Sequence, residues 1–172
     1  MANIVSLQGP ALEIAPEALT SPVATALIAA LNAELSAEYP EPGATHFKLD
    51  TEEVAPGAGV FLVARRSGEP VGCGAVRWLR DASVIRELGP RVGEVKRMYV
   101  AQEARGQGVG RALLARLEDE ARKLGLVQLV LETGIRSEDA QALYRRAGFT
   151  DVPPYGEYRA SPGTSVCMTK AL

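Results

Sequence analysis

The chain has 172 residues, 47% apolar and 23% charged, the balance of a single globular domain long enough to bury a proper core. A formal net charge of −2 gives no global field toward nucleic acid or anionic membrane. The longest apolar stretch, around 23–31, is far short of the roughly 20 residues that span a bilayer.

In chain order, 11–14 is a weak first strand. Ser21-Pro22 then gives an N-cap followed by proline at the first helical position. The helix that follows carries Leu27, Ala30, Leu31 and Leu35 on one face and stops before Pro40. Glu41 to Thr45 is a Pro/Gly turn, and Asp50-Thr51-Glu52-Glu53 opens a short second helix. Strands are expected over 60–65 and 71–78, with Ser67-Gly68-Glu69 as hairpin chemistry between them. A loop over 81–93 leads into a strand over 94–100, then a glycine-rich turn and a strong helix over 108–124. Val109, Leu113, Leu117, Ala121 and Leu124 form its buried stripe, and Gly125 stops it. The nearly continuous apolar run 126–131 suits a central strand covered on both faces. Ser137 caps a further helix with inner face Ala140, Leu143, Tyr144 and Ala147, ended by Gly148. A strand, a Pro/Gly/Tyr loop and a last strand over 165–170 complete one α/β domain over 1–172, with a strand–helix–strand crossover between 94 and 131.

Cys73 and Cys167 are the only cysteines and His46 the only histidine, a set that supplies no metal-ligand spacing. Both cysteines lie in apolar strand-like runs, where a free thiol packs as a small hydrophobe. No metal is expected. Met1-Ala2-Asn3-Ile4 lacks the basic start and apolar run of a signal peptide, so a cytoplasmic protein is expected.

The chemistry concentrates in Glu94-Val95-Lys96-Arg97-Met98-Tyr99-Val100 and the following Arg105-Gly106-Gln107-Gly108-Val109-Gly110-Arg111. A strand emptying into three alternate glycines and a helix is suited to cradle phosphate. Glycines let backbone N–H groups turn inward, and the helix N-terminus adds partial positive charge. A Walker loop would continue Gly-Lys-Ser or Gly-Lys-Thr. A G-x-G-x-x-G fingerprint would need glycine at Arg111 or Leu113. Glu132 alone, standing where a ribose-binding acid would be expected, favours a dinucleotide.

Arg105-x-x-Gly108-x-Gly110 matches the R/Q-x-x-G-x-G/A acyl-CoA signature and resembles the GNAT superfamily of N-acetyltransferases, in its small bacterial form. Lys96 to Val100 looks like the family's preceding strand, and Leu143-Tyr144 through Gly148-Phe149 resembles its later L-Y-x-x-x-G-F segment. The resemblance implies a GNAT fold: a mixed, mostly antiparallel sheet of about six to seven strands, about four flanking helices, and splayed central parallel strands. It implies an acyltransferase that moves acetyl from acetyl-CoA to a primary amine by direct attack in a ternary complex. A non-catalytic CoA-binding sensor or scaffold is the alternative from another class, and a nucleotide-binding regulatory domain a third.

By the same resemblance, Met98, Tyr99 and Val100 would pair with the pantetheine arm, and Arg105, Gly106, Gln107, Gly108, Val109, Gly110 and Arg111 would hold the pyrophosphate. Ser137 stands where many members carry a CoA-contacting Asn. Glu94 would take the amine's proton, and Tyr144 would donate one to the departing thiolate. The loops 39–46 and 153–159 would flank the acceptor, with Tyr155, Glu157, Tyr158 and Arg159 as candidate contacts: Glu157 for an ammonium, Arg159 for a carboxylate. Dimers are common among similar proteins.

Overall fold

A computed structural model describes residues 11–172; the opening segment, expected to carry no signal peptide, lies outside the described residues. Seven strands form one sheet in the order β1-β2-β3-β4-β5-β7-β6. They are β1 (Leu12–Pro16), β2 (Gly59–Arg66), β3 (Glu69–Trp78), β4 (Val92–Val100), β5 (Gln128–Gly134), β6 (Thr150–Val152) and β7 (Ser165–Ala171). Among the described residues only β4 and β5 are parallel; every other neighbouring pair is antiparallel. The parallel pair is joined by helix α3 (Val109–Lys123), the expected crossover. The other helices are α1 (Pro22–Glu38), α2 (Ala82–Leu88) and α4 (Glu138–Arg146). No helix among the described residues is long and apolar enough to cross a membrane.

Strand alternation assigns the two faces. Leu62, Ala64, Val76, Leu129 and Leu131 point to the face covered by Leu113, Leu114 and Leu117 of α3 and by Tyr144 of α4. Phe61, Val63, Cys73 and Ala75 point the opposite way, onto Ala24 and Leu27 of α1. Val92, Val130 and Cys167 continue that second face beneath Tyr155 and Tyr158. Each fully buried Leu contributes roughly 1.5–3 kcal/mol over an exposed one, so α3, with three, is the helix most firmly held.

Local chemistry explains most boundaries. Ser21 Oγ accepts from the Ala24 amide at 3.0 Å, with Pro22 in the first turn. Ser67 and Gly68 both take positive φ in the tight β2–β3 hairpin. The segment expected to open a second helix at Asp50 makes one 3₁₀ turn, Thr51–Val54.

Two expectations need correction. The loop expected over 81–93 contains α2, whose Asp81 cap accepts from the Ser83 amide at 2.8 Å. Its seven residues include no buried one, so no apolar stripe marks it. Ser137 does stand at the N-cap of α4, but its side chain makes no cap hydrogen bond. It pairs instead with the Tyr39 hydroxyl at 3.1 Å.

Candidate active site

The central strands separate. β4 and β5 pair only from Val92↔Gln128 to Val95↔Leu131, although β4 runs on to Val100 and β5 to Gly134. On its other side β4 is bulged: Cys73 faces Tyr99 while Ala75 faces Lys96, one extra residue on β4. Arg97, inside the bulge, has φ 59°. The bulge inverts the alternation, so Met98 joins the α3 face while Tyr99 packs on the α1 side. Backbone groups of both strands beyond the last pair are thereby released from their mutual ladder.

A cleft of about 1330 Å³ opens beside this gap. Met98, Tyr99, Val100, Arg105, Gly106, Gly108, Val109, Gly110, Arg111, Ser137 and Tyr144 all line it. Ten of the eleven expected cofactor contacts therefore line one cleft, together with Tyr144. The exception is Gln107: its side chain turns away to the Glu103 carbonyl, at 2.9 Å, and to Arg66.

Gly108 is the N-cap of α3 in the left-handed region, φ 82°, which exposes the first-turn amides to the cleft. Gly110 serves packing, because a Cβ there would sit 3.2 Å from Leu143 of α4. Arg105 is ion-paired to Glu34 at 2.7 Å and donates to the Val100 carbonyl at 2.9 Å, bracing the loop against α1 and β4.

Glu94 lies before the strands part, opposite Val130, and is 1% exposed. Its Oε2 accepts from Arg77 Nε at 2.7 Å, and its Oε1 accepts from the hydroxyls of Tyr155 and Tyr158 at 2.7 and 2.6 Å. Arg77 also donates to Glu53 at 2.6 Å. Burial alone would lower the Arg77 pKa, but the two carboxylates hold it above the ordinary arginine range. The expectation that Glu94 receives the amine's proton meets a carboxylate already engaged at both oxygens. Its geometry is that of a structural anchor.

Glu132 is differently placed. It follows Leu131, the last β5 residue paired with β4, faces Cys167 across β7, and is partly exposed. Burial pushes its pKa up to about 7; Ser165 and Lys96 oppose the shift, and Glu94 and Glu157 add to it. A carboxyl with that pKa exchanges protons near neutrality. Its position had suggested only a ribose contact, and burial is the signal that sequence could not supply. Tyr144, fully packed apart from its cleft contact, has its pKa raised by burial and by the Glu132 charge. Its ring packs edge-on against Phe149 at 5.9 Å.

The two expected acceptor loops meet. His46 Nε2 and Ser161 Oγ are 2.8 Å apart, and the His46 ring stands edge-on to Tyr158 at 4.9 Å. Glu157 approaches Lys96 at 3.7 Å and Arg77 at 3.9 Å. Burial lowers the Lys96 pKa, although Glu94 and Glu157 offset part of the effect. Tyr155 and Tyr158 are buried beneath the loop as Glu94 donors. Arg159, expected to hold a carboxylate, points away and pairs with Glu87 of α2 on the surface. Tyr39 is also buried; its hydroxyl accepts from the Arg136 amide at 2.7 Å, and it packs so closely on Gly134 that any Cβ there would collide with it.

Comparison with known proteins agrees with this geometry. The model of the acetyltransferase (GNAT) family matches residues 25–149. A relative from Azospirillum brasilense, an IAA acetyltransferase, is 43% identical over 163 residues, covering 95% of this chain and 99% of its own. A Klebsiella pneumoniae structure assigned to the acyl-CoA N-acyltransferases superposes with TM-score 0.76 at 36% identity, covering 94% of this chain and 97% of its own. An Elizabethkingia anophelis GNAT acetyltransferase, solved with acetyl-CoA bound, shares the fold at TM-score 0.63 and 18% identity, over 94% and 98% of the two chains.

Proposed function

We propose that this chain, which belongs to the acetyltransferase (GNAT) family, moves the acetyl group of acetyl-CoA to the primary amine of a small, amino-acid-like acceptor by direct attack in a ternary complex. The observation that carries the proposal is the parting of β4 from β5 after Val95↔Leu131, with the glycine-lined cleft beside it. Released strand groups suit an extended amide-bearing arm as an added strand, and the α3 N-terminus suits a pyrophosphate. The residues present fit acetyl-CoA, which when bound supplies an activated acetyl carbonyl.

The acceptor's ammonium must lose a proton before its nitrogen can attack. We assign that proton to Glu132, whose pKa near 7 leaves it partly ionised and still basic enough at neutral pH. Glu94, with Arg77, fixes the tyrosines beneath the acceptor loop. As the C–N bond forms and the C–S bond breaks, charge collects on sulfur. The Tyr144 hydroxyl, held protonated by its raised pKa, is placed to donate a hydrogen bond to it. A thiol near pKa 8.5 is a stronger acid than this tyrosine, so Tyr144 stabilises the thiolate more than it protonates it outright.

Thiol release from acetyl-CoA across a panel of amines, amino acids and peptides tests the proposal. Release with some amino acids or small amines is expected. CoA binding without release for any amine would leave a binding module, and absence of CoA binding would overturn the site itself.

A further inference from the structure

We infer that Arg97 anchors a carboxylate carried by the acceptor, against Asn32 of α1 and Phe47 of the loop that follows it. The inference rests on the acetyl-transfer proposal and adds the chemistry of the acceptor's second functional group.

Arg97 is 6% exposed and occupies the β4 bulge in a left-handed conformation unusual for a residue with a side chain. Its Nη2 donates to Asn32 Oδ1, and its guanidinium lies over the Phe47 ring at 5.2 Å. Its Nε is the one fully buried side-chain nitrogen or oxygen among the described residues with no hydrogen-bond partner. The comparison with its neighbours is informative. Arg77 has Glu94 and Glu53, and Lys96 has Glu157; among the described residues no carboxylate lies within ion-pair distance of Arg97. Burial holds its pKa below the ordinary arginine value. A buried cation without a counter-ion is costly, and an unpaired N–H beside it adds to the cost. A fold has no need to keep both at a bulge, whereas a site that awaits an anion does.

Position narrows the ligand. Arg97 stands in sequence between Lys96, which faces Tyr158 and Glu157, and Met98, which lines the cofactor cleft. An acceptor held here by an acid group would have the carboxylates Glu132 and Glu157, which gather around the neighbouring Lys96, to receive its ammonium. One guanidinium with the neutral companions Asn32 and Phe47 matches a planar monoanion. A phosphate would call for further cations. Arg97 thus takes the role that the sequence had suggested for Arg159.

The test uses the CoA-saturated, ¹⁵N-labelled protein and reads the Arg97 Nε–H resonance, identified by its loss in Arg97→Gln. Acetate, benzoate and glycine are titrated against acetamide, benzamide and glycinamide. At least one carboxylate should shift that resonance and bind at least tenfold tighter than its amide. A folded Arg97→Gln should lose this preference while binding CoA within a few-fold of the unchanged protein. If that variant does not fold, thiol release with free amino acids against their primary amides gives the same comparison in the native chain, with a tenfold kcat/KM preference for the acids expected. No shift with any carboxylate, equal binding of acids and amides, or retained preference in Arg97→Gln overturns the inference. Failure of the transferase proposal would look different: no thiol release with any amine, whatever the carboxylates do.

Discussion

Arg77 holds Glu94 through two nitrogens at once, with Nε at 2.7 Å and Nη2 at 2.6 Å from the same carboxylate oxygen. The pair is closed over by Tyr155 and Tyr158 on the other oxygen, which makes it a structural keystone of the 153–159 segment.

Removing one member of a buried pair leaves the other uncompensated, which costs about 3–5 kcal/mol. Arg77→Met should therefore lower the unfolding free energy by that amount, read as a lower urea midpoint with little change in slope. Glu94→Gln should lower turnover by a factor that does not vary with pH. A loss under 1 kcal/mol for Arg77→Met, or a Glu94→Gln deficit confined to low pH, would return Glu94 to proton transfer.

Glu132 should report itself by titration. Its folded pKa of about 7 stands above the ordinary carboxylate value of 4.5, so the native state keeps a proton that the unfolded chain gives up. Stability contributed by this group falls as pH rises from the unfolded to the folded pKa, then levels. Glu132→Gln should remove that decline and be relatively more stable at pH 8 than at pH 5. The same variant should abolish the rise in kcat/KM through pH 7. A ¹³C-carboxyl resonance with a midpoint near 7 that survives in Glu132→Gln would assign the titration elsewhere.

Tyr144→Phe should leave CoA affinity within a few-fold and slow acetyl transfer, with the roughly 10²–10⁴-fold range of acid catalysis as the ceiling. Since proton transfer to a thiolate is uphill from this hydroxyl, the lower part of that range is expected. Single-turnover kinetics check it, and a variant at wild-type rate would make Tyr144 a core residue.

Gly108 adopts φ 82° with open space around the position a Cβ would take. Gly108→Ala should cost about 1–2 kcal/mol through conformation alone, and Gly108→Glu should also eliminate CoA binding by filling the anion site with like charge. Calorimetry with CoA on the folded variants decides this; unchanged affinity for Gly108→Glu would remove the phosphate cradle.

The acceptor loop now separates two neighbours. Glu157→Ala should raise the acceptor's KM with little effect on that for acetyl-CoA. Arg159→Ala should change neither, because it pairs with Glu87 at the surface. The reverse pattern would place the acceptor over α2.

The crossover and its glycine turn were legible because both are local: a helical stripe and three alternate glycines lie within about two dozen residues. Spacing placed Tyr144 on the inner face of its helix, and only the family resemblance gave it a role. The anchoring of Glu94 was not legible, because its partners lie 17, 61 and 64 positions away, a distance over which sequence pattern carries no pairing information. Arg97 was hidden for another reason. Its placement on the α1 side depends on a one-residue bulge that reverses alternation, and strand periodicity without the bulge would send it to the opposite face. The pairing of Arg159 was not legible either, because its partner Glu87 comes from α2, a helix too short and too exposed to leave a stripe.

The contact between Tyr39 and Gly134 divides the molecule's adaptability. With no Cβ tolerated beneath it and with its hydroxyl fixed to the start of α4, Tyr39 locks the end of α1 to the turn that borders the cofactor cleft. The chain from Glu41 to Asp50 leaves that lock free of regular structure and passes over Arg97 before re-entering the sheet. With the acceptor placed against Arg97 as proposed, substitutions in that stretch would reshape the acceptor end while the donor end stays as it is.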